Sequence, residues 1–265
     1  MVATGMPGTT DRALPLAGRH ALVTGGGSGI GQATAAALTA AGAHVTVLGR
    51  RAAPLQAMVE AGDAAFRIAA DVTDEAATAA AMAAAAEALG PVLLLINATG
   101  AAESAPFEKT DGAMFERMWR VNVAGAVAAT RAALPGMKGA GFGRVVNIAS
   151  TASLKGYRYV TAYAAAKHAL LGFTRALAQE VAGAGVTVNA VCPGFTDTDL
   201  VAESVARIVA RSGRSVAEVR AELGQSNPLG RLMRPEEVAA CVLYLCQTGA
   251  SAVNGQALAV DGGET

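Results

Sequence analysis

The sequence predicts an α/β fold in which helices cover both faces of a doubly wound parallel sheet of about seven strands. The first reason is that short apolar runs alternate with longer helical segments along nearly the whole chain. The second is that hydrophobic residues make up 52% of the 265 residues and charged residues 16%, which allows one large buried core. The third is a glycine cluster between the first strand and the first helix, where such folds turn sharply.

Seven short apolar runs are predicted as strands and six longer segments as helices. The strands span residues 20–24, 44–48, 64–70, 92–97, 144–148, 186–191 and 256–260. The helices span residues 30–41, 53–61, 75–89, 111–133, 161–182 and 235–245. The third helix is mostly Ala, a strong helix former. The last begins with Pro235 followed by Glu236 and Glu237, whose negative charges suit a helix N-terminus.

No internal repeat or linker divides residues 18–265, and we interpret them as a single domain. Residues 1–17 contain Gly, Pro, Thr, Asp and Arg without an apolar core, so we interpret them as a loose tail rather than a signal peptide. The apolar runs that follow are interrupted by Gly or charge. They predict no transmembrane span and no membrane partner.

Charge and cysteine content exclude several classes of protein. The 21 acidic and 21 basic residues give a formal net charge of zero without a run of like charge, so we expect no nucleic acid partner. Cys192, Cys241 and Cys246 match no metal-ligand spacing, so we expect no metal site. Three cysteines are too few for a disulfide framework in a chain of this length, which indicates reduced thiols and a cytoplasmic protein.

The glycine cluster is Thr24-Gly25-Gly26-Gly27-Ser28-Gly29-Ile30-Gly31, and it follows an apolar strand and opens an amphipathic helix. Glycines let the chain turn sharply and let its backbone approach a pyrophosphate. The pyrophosphate then lies at the helix N-terminus among free N–H groups. A glycine cluster elsewhere would indicate only a flexible loop, but in this position it predicts a dinucleotide site.

The end of the second strand indicates which dinucleotide binds. A carboxylate about 20 residues after the glycines would accept the ribose hydroxyls of NAD and repel a 2′-phosphate. This chain has Leu48-Gly49-Arg50-Arg51, without an acid, and guanidinium groups pair with phosphate. We therefore favour NADP(H) over NAD(H), with Arg50 at the phosphate, although both arginines could be solvated loop residues. After the third strand, Asp71 of Asp71-Val72 either accepts from an adenine amino group or caps a helix.

Tyr163 and Lys167 lie four residues apart in the predicted helix 161–182, so they project from one face. Free Tyr titrates near pH ~10, and a nearby cation would move the Tyr163 pKa toward the working pH. Such a pair can serve as a proton donor. A Tyr and a Lys also occur at this spacing by chance, so the pair needs support from other motifs.

The chain resembles the short-chain dehydrogenase/reductase family of the single-domain Rossmann type, over about residues 19–263. Within it, the segments 163–168 and 189–195 are similar to ketoreductases of polyketide and fatty-acid type. The residues that match the family are Thr24, Gly25, Gly29 and Gly31 of its TGxxxGxG turn, the helix Asn122, Ser150, Tyr163 and Lys167 of its YxxxK motif, Pro193-Gly194 with Thr198, and the closing Val260-Asp261-Gly262-Gly263.

The resemblance implies hydride transfer between a nicotinamide and a carbonyl or carbinol carbon, managed by a catalytic tetrad. Tyr163 gives its proton to the developing alkoxide, and Ser150 donates a hydrogen bond to the same oxygen. Lys167 lowers the Tyr163 pKa and holds the nicotinamide ribose, and Asn122 holds a water that relays protons to Lys167. The residues expected to bind the cofactor are Thr24, Gly25, Gly27, Ser28, Gly29, Ile30, Gly31, Arg50, Asp71, Val72, Asn97, Gly100, Tyr163, Lys167, Pro193, Gly194 and Thr198.

One departure from the family pattern is Asn97-Ala98-Thr99-Gly100, where the family often has Asn-Asn-Ala-Gly. The first Asn keeps its role in anchoring the strand, and the Gly still allows close approach of the cofactor. The polar contacts of the second Asn have to be replaced. Thr99 can supply some of them.

The histidines and one nearby cysteine are not expected to take part in catalysis. His168 directly follows Lys167, and adjacent helical residues do not share a face, so we expect a packing or surface role. His20 and His44 open strands and have no visible partner. Cys192 is interpreted as a small buried thiol.

The substrate is less clearly indicated. The resemblance places a lid around residues 195–229 and another wall at residues 151–160. Basic side chains in both segments either receive the phosphate or carboxylate of an acyl carrier or are solvated. The leading hypothesis is an NADPH-dependent reductase of a β-ketoacyl compound, such as an acyl thioester, or of another bulky ketone. The basic residues are Lys155, Arg158, Arg207, Arg211, Arg214 and Arg220.

Two alternatives stay open. An NAD-dependent alcohol or 3-hydroxyacyl dehydrogenase working oxidatively is favoured by Ser28, because many NADP users in the family have Arg there. A non-catalytic nucleotide-sensing scaffold would have a damaged tetrad, whereas all four residues are present. The resemblance also implies a homotetramer formed through two long central helices and the C-terminal strand, where small residues such as Ala164 and Ala176 allow close packing.

Overall fold

The computed structural model describes residues 14–265 and contains a seven-stranded sheet in which every neighbouring pair is parallel. The strands are β1 (His20–Thr24), β2 (His44–Gly49), β3 (Phe66–Ala69), β4 (Leu94–Asn97), β5 (Gly143–Ile148), β6 (Val186–Pro193) and β7 (Ala257–Val260). Their order across the sheet is β3-β2-β1-β4-β5-β6-β7. This order confirms the predicted doubly wound α/β class.

Helices connect the strands and cover both faces of the sheet. In the described part of the chain they are α1 (Gly29–Ala40), α2 (Ala52–Glu60), α3 (Glu75–Leu89), α4 (Gly112–Trp119), α5 (Gly125–Gly139), α6 (Thr161–Val181), α7 (Asp199–Ser212), α8 (Val216–Gly224) and α9 (Pro235–Cys246). No helix within residues 14–265 is long and apolar enough to cross a lipid bilayer.

Two apolar layers hold the helices to the sheet. On one face, Leu38 of α1 and Val242 of α9 are fully buried in a cluster with β1, β2 and β4. On the other face, α3, α5 and α6 contribute small and flexible side chains such as Ala85, Met137 and Ala178, all fully buried. Burial on both faces explains why the strands are almost continuously apolar.

The strand order reverses direction beside β1, and this reversal positions the site. The chain passes from β1 to β2 and β3 on one side, and then returns to β4 on the other side of β1. Thr24, the last residue of β1, is paired in register with Asn97, the last residue of β4. In open parallel sheets the connections leave these two carboxyl ends in opposite directions and open a crevice between them, where ligands bind.

The predicted helix 111–133 is interrupted and longer than expected. After α4, a π-helical turn spans Arg120–Ala124, and α5 then continues past Pro135. Hydrophobic spacing could not reveal a turn that contains one extra residue. The helix continues after Pro135 because Met137 is fully buried against the sheet, which offsets the one backbone hydrogen bond lost at the proline.

The prediction of a loose tail over residues 1–17 is wrong for its last part. Leu16 is fully buried in the core, and its backbone N–H donates to the Ala41 carbonyl at 2.9 Å. A single leucine that fills a gap beside α1 carries no periodic signal, so the sequence could not reveal it. The rest of the predicted tail, residues 1–13, lies outside the described residues.

Candidate active site

The carboxyl ends of β1, β2, β3, β4, β5 and β6 open into a cleft of about 850 Å³, and α7 lies over one side of it. Most of the residues predicted from the sequence line this cleft. They are Gly25, Gly27, Ser28, Gly29, Ile30, Gly31, Arg50, Asp71, Val72, Gly100, Asn122, Ser150, Tyr163, Lys167, Pro193, Gly194 and Thr198.

Thr24 and Asn97 were expected to bind the cofactor, but they lie beneath the cleft and do not line it. The Thr24 hydroxyl accepts from the backbone N–H groups of Ala98 and Thr99 at 3.1 and 3.3 Å. The Asn97 amide donates to the Asn147 side-chain oxygen at 2.8 Å. Both side chains are buried and tie neighbouring strand ends together, so they shape the floor of the cleft.

The glycine turn is packed too tightly for side chains. A Cβ at Gly31 would lie 2.2 Å from the Gly25 carbonyl oxygen, and one at Gly26 would lie 2.7 Å from a Val47 methyl carbon. Gly25 itself has φ +67°, a left-handed conformation that favours glycine. This turn leaves backbone N–H groups at the start of α1 beside the cleft, as a pyrophosphate requires. The residues present therefore fit a dinucleotide.

An unpaired buried atom further along the cleft also fits a polar ligand. The Thr99 hydroxyl oxygen is buried and has no hydrogen-bond partner within residues 14–265. Buried hydroxyls are ordinarily paired, so this one calls for a partner. Thr99 lines the cleft between the glycine turn and Gly100. Thr99 belongs to the segment 97–100, which departs from the pattern of the family that the sequence resembles. That family often has Ala at the position of Thr99.

The distal end of the cleft, after β2 and β3, carries two arginines and one acid. Arg50 is exposed and makes no ion pair with any described residue, while Arg51 faces Asp199 at 4.0 Å. Asp71 is not the helix cap: its side chain accepts from the backbone and hydroxyl of Thr73, both at 2.9 Å, and Asp74 caps α3. The pKa of Asp71 is lowered, first by the bond from the Thr73 backbone, although partial burial opposes this shift.

Ser150 and Tyr163 meet at the proximal end of the cleft. Ser150 follows β5 and begins a short 3-10 turn, where its side-chain oxygen accepts from the Ala152 backbone N–H at 3.1 Å. Tyr163 lies in the first turn of α6. Burial raises the Tyr163 pKa, and a hydrogen bond with the Ser150 hydroxyl opposes that rise. The sequence-based expectation of a lowered Tyr163 pKa is therefore wrong for this structure, because burial outweighs the hydrogen bond.

Lys167 lies one helical turn after Tyr163 and is buried. Its Nζ donates to the Ile148 carbonyl at 2.9 Å and lies 5.8 Å from the centre of the Tyr163 ring. Burial lowers the Lys167 pKa from 10.5 to about 8. The ammonium therefore faces the same small volume as the phenol, as the spacing of the two residues predicts.

Asn122 faces Lys167 across Gly100. A Cβ built on Gly100 would lie 3.0 Å from Asn122 Oδ1 and 3.5 Å from Lys167 Nζ, so the absent side chain leaves room between these two polar atoms. The buried Asn122 amide donates to the carbonyls of Met118 and Ala101 at 3.0 and 2.9 Å. These bonds fix the π-helical turn, while Oδ1 accepts from the Ala101 backbone N–H at 3.4 Å.

The histidines and Cys192 have structural surroundings. His168 is exposed, and its Nδ1 bonds to the Ala164 carbonyl at 2.9 Å, away from the cleft. His20 is buried between Thr46 and the Gly90 carbonyl, and burial lowers its pKa. Cys192 is fully buried, and burial raises its pKa to about 11, so it is a neutral thiol.

Sequence reasoning predicted a wall of the cleft at residues 151–160 but missed what supports it. Tyr157 and Phe195 both line the cleft and pack edge to face, with ring centres 6.5 Å apart. Behind them, the buried side chain of Glu264 lies 2.7 Å from the Tyr157 hydroxyl and 3.3 Å from the Lys155 ammonium. Lys155 was named in the sequence among the basic residues of this wall, but no local pattern showed that Glu264 meets Lys155 and Tyr157.

Comparisons with known proteins agree with this geometry. A family model described as short chain dehydrogenase matches residues 19–208. The Xanthobacter autotrophicus protein named inactive 2-(S)-hydroxypropyl-CoM dehydrogenase 2 is 40% identical, covering 79% of this chain and 89% of that protein. Cis-4-hydroxycyclohexanecarboxylate dehydrogenase of Sinomonas cyclohexanicum is also 40% identical, covering 93% and 96%. A variant of actinorhodin polyketide ketoreductase, solved with NADPH, superposes with a TM-score of 0.89 at 35% identity, covering 93% and 97%.

Proposed function

The chain belongs to the short-chain dehydrogenase family, and from that premise we propose that it is an NADPH-dependent reductase of bulky ketones. The observation that carries the proposal is that Ser150, Tyr163 and Lys167 face one cleft whose other end is the tightly packed glycine turn. A nicotinamide bound in this cleft supplies the hydride that converts a ketone into a secondary alcohol, or accepts it in the reverse reaction.

The protein's own side chains manage the proton. In reduction, Tyr163 gives its phenolic proton to the oxygen of the new alcohol, and Ser150 donates a hydrogen bond to that oxygen as negative charge builds on it. The raised pKa of Tyr163 keeps its proton in place until it is needed. Lys167 stabilises the phenolate that remains, and Asn122 holds the water through which the proton is replaced.

The absence of an acid at the end of β2 favours NADPH. Arg50 lines the cleft, is exposed, and has no ion pair within residues 14–265, so its guanidinium is available for a 2′-phosphate. The glycine turn, Asp71, Val72, Pro193, Gly194 and Thr198 would hold the rest of the cofactor.

The lining of the proximal cleft favours a bulky substrate. Phe195, Leu200, Val201, Ile208 and Leu223 give this part an apolar wall. A β-ketoacyl chain, including an acyl thioester, would match that wall. The structural likeness to a polyketide ketoreductase supports the same substrate class.

An oxidising NAD-dependent dehydrogenase is the second candidate. Two observations favour it. The glycine turn has Ser28, so it supplies no second guanidinium beside Arg50 to bind a 2′-phosphate. One relative is named as a cis-4-hydroxycyclohexanecarboxylate dehydrogenase. A scaffold without turnover is not favoured, although one relative is named inactive. In this chain all four tetrad side chains are present and line one cleft.

A paired fluorescence titration with NADPH and NADH tests the cofactor proposal, using wild type, Arg50→Asp and Arg67→Gln as the matched control. Arg67 donates to Gln56 at 2.5 Å outside the cleft, so the control should bind like wild type. The proposal predicts that wild type binds NADPH more tightly than NADH by about tenfold or more, because a hydrogen bond to a charged group changes affinity by about that factor. Arg50→Asp should lose this preference. Equal or tighter binding of NADH by wild type would support the oxidative candidate instead.

We also propose a homotetramer. Phe115 and Trp119, one helical turn apart on α4, are 37% and 48% exposed, and packing against a second copy would bury these apolar side chains. Light scattering should give a mass of four chains. A mass of one chain in dilute solution would contradict the proposal.

A further inference from the structure

The part of the cleft lined by α7 and by residues 157–160, which we call the substrate end, contains three arginines. Arg158 belongs to the wall between β5 and α6, and Arg207 and Arg211 belong to α7. All three line the cleft, whereas Arg214 and Arg220 of the same lid pair with Glu222 and Asp197 and do not line it.

The arginines of α7 lie on the helix face that covers the cleft. After Asp199 at its start, the α7 residues that line the cleft are Leu200, Val201, Ser204, Arg207, Ile208 and Arg211, which recur at helical spacing. Val205, on the flank of this face, is buried and holds the helix against the protein. The geometry of the helix therefore turns two guanidinium groups and three apolar side chains toward a bound substrate.

No carboxylate within residues 14–265 pairs with Arg211, whereas Arg207 lies 4.0 Å from Glu203 and also interacts with the Glu103 carboxylate, whose main partner is Arg117. Two acids line the cleft within residues 14–265: Asp71 is bonded by Thr73, and Asp199 faces Arg51 at the other end of α7 from Arg211. Within the same residues, Arg211 makes no hydrogen bond or ion pair.

The other two arginines are only partly engaged. Arg207 donates to the Ser204 hydroxyl at 2.9 Å and lies 4.0 Å from Glu203, a long contact on an exposed surface. Arg158 lies 3.2 Å from the Tyr159 hydroxyl. Both keep most of their donors free, since a guanidinium has five N–H groups.

We propose that Arg211, assisted by Arg207 and Arg158, binds an anionic group on the substrate. The substrate is then a ketone that carries a carboxylate, or a chemically equivalent sulfonate or phosphate, away from its carbonyl. This inference rests on the proposed ketone reductase and specifies its substrate class. A guanidinium suits the role because it binds such anions through two parallel hydrogen bonds and stays charged at every working pH.

The surrounding side chains decide how strong this recognition is. A fully exposed ion pair contributes little to binding. Here Leu200, Ile208 and Leu223 share the cleft with Arg211, so a bound substrate excludes part of the water and strengthens the attraction. We expect the anion to improve kcat/KM by about tenfold or more, mainly through KM, as for a hydrogen bond to a charged group.

The test uses a series of oxo acids whose ketone stands at increasing distance from the carboxylate, each beside its methyl ester. Reduction is followed with wild type, Arg211→Gln and the control Arg214→Gln. At one or more chain lengths wild type and the control should prefer the acid over the ester, and Arg211→Gln should treat both alike. Inhibition by coenzyme A alone, weaker in Arg211→Gln, would identify a phosphate as the natural anion.

Calorimetric binding of the same acids and esters to NADPH-loaded protein separates this inference from the proposed reaction. Tighter binding of the acid that depends on Arg211, without turnover, would contradict the reductase but support the anion site. Equal binding of acid and ester by wild type would overturn the anion site, whatever the turnover. A loss of acid preference in Arg214→Gln as large as in Arg211→Gln would overturn it as well, because the effect would then be general charge.

Discussion

The hydroxyl of Tyr157 lies 2.7 Å from a carboxylate oxygen of Glu264, so the penultimate residue of the chain supports a wall of the active-site cleft. The same hydroxyl lies 2.7 Å from that of Thr151, the residue after Ser150. Because a phenol has one proton, Tyr157 donates to the carboxylate and accepts from Thr151. This chain of bonds connects the C-terminal end, the substrate wall and the loop that carries Ser150.

Glu264→Gln should weaken substrate binding without affecting the cofactor. The amide is a poorer acceptor for Tyr157 and cannot attract the Lys155 ammonium, so the wall becomes less well fixed. We expect KM for the ketone to rise about fivefold, the worth of one hydrogen bond, with NADPH affinity unchanged. Steady-state kinetics and NADPH titration provide the two measurements. The control is Glu222→Gln, an exposed partner of Arg214. If NADPH affinity fell together with the KM effect, Glu264 would have a general structural role instead.

Gly31→Ala should abolish cofactor binding. The new Cβ would meet the Gly25 carbonyl oxygen at 2.2 Å, and backbone cannot move aside without opening the turn. We expect a loss of at least about 1–3 kcal/mol in unfolding free energy, together with undetectable NADPH binding.

Gly249→Ala is the matched control for that substitution. Gly249 is exposed in the short 3-10 turn after α9, outside the cleft, and a Cβ there would meet nothing within 4 Å. This variant should bind NADPH normally and keep its free energy of unfolding within about 1 kcal/mol of wild type. Normal NADPH binding by Gly31→Ala would show that the turn is not the pyrophosphate site.

The stability of the protein should depend on pH through Lys167. Its pKa is lowered from 10.5 to about 8 by burial, so between those values the unfolded chain holds a proton that the folded protein has released. The free energy of unfolding contributed by this group therefore rises with pH across that window, by up to about 1.4 kcal/mol per pH unit. Below about pH 8 the folded protein buries a charged ammonium, so the full desolvation cost of Lys167 is subtracted from the free energy of unfolding.

Urea unfolding of wild type and Lys167→Met at several pH values in that window isolates the effect. Methionine fills a similar volume without a titratable group. The difference in unfolding free energy, wild type minus variant, should increase with pH. A difference independent of pH would mean that Lys167 keeps an ordinary pKa in the fold.

The parts predicted well from the sequence are those with local, repeated signals. Strand and helix alternation gave the fold class, and the spacing of Tyr163 and Lys167 placed both in the cleft. Contacts between distant segments gave no such signal. Neither the support of Tyr157 by Glu264 nor the burial of Leu16 could be deduced, since each depends on how remote parts of the chain meet.

Electrostatic predictions failed where burial competed with charge. The sequence placed a cation beside Tyr163 and suggested a lowered pKa, but it could not show that both groups are withdrawn from water. Thr24 and Asn97 illustrate a related limit. Their positions in the motif were right, yet their side chains turn to neighbouring strands, a direction that only the packed sheet defines.

Tyr163→Phe provides the most direct test of the proposed reaction, using a ketone that wild type reduces and measuring turnover by NADPH absorbance. The substitution removes only the proton donor, so kcat should fall by at least about 100-fold while NADPH still binds as it does to wild type. Tyr244→Phe, at a tyrosine that is 47% exposed outside the cleft, should leave turnover unchanged. Undiminished turnover by Tyr163→Phe would contradict the assignment of Tyr163 as the proton donor.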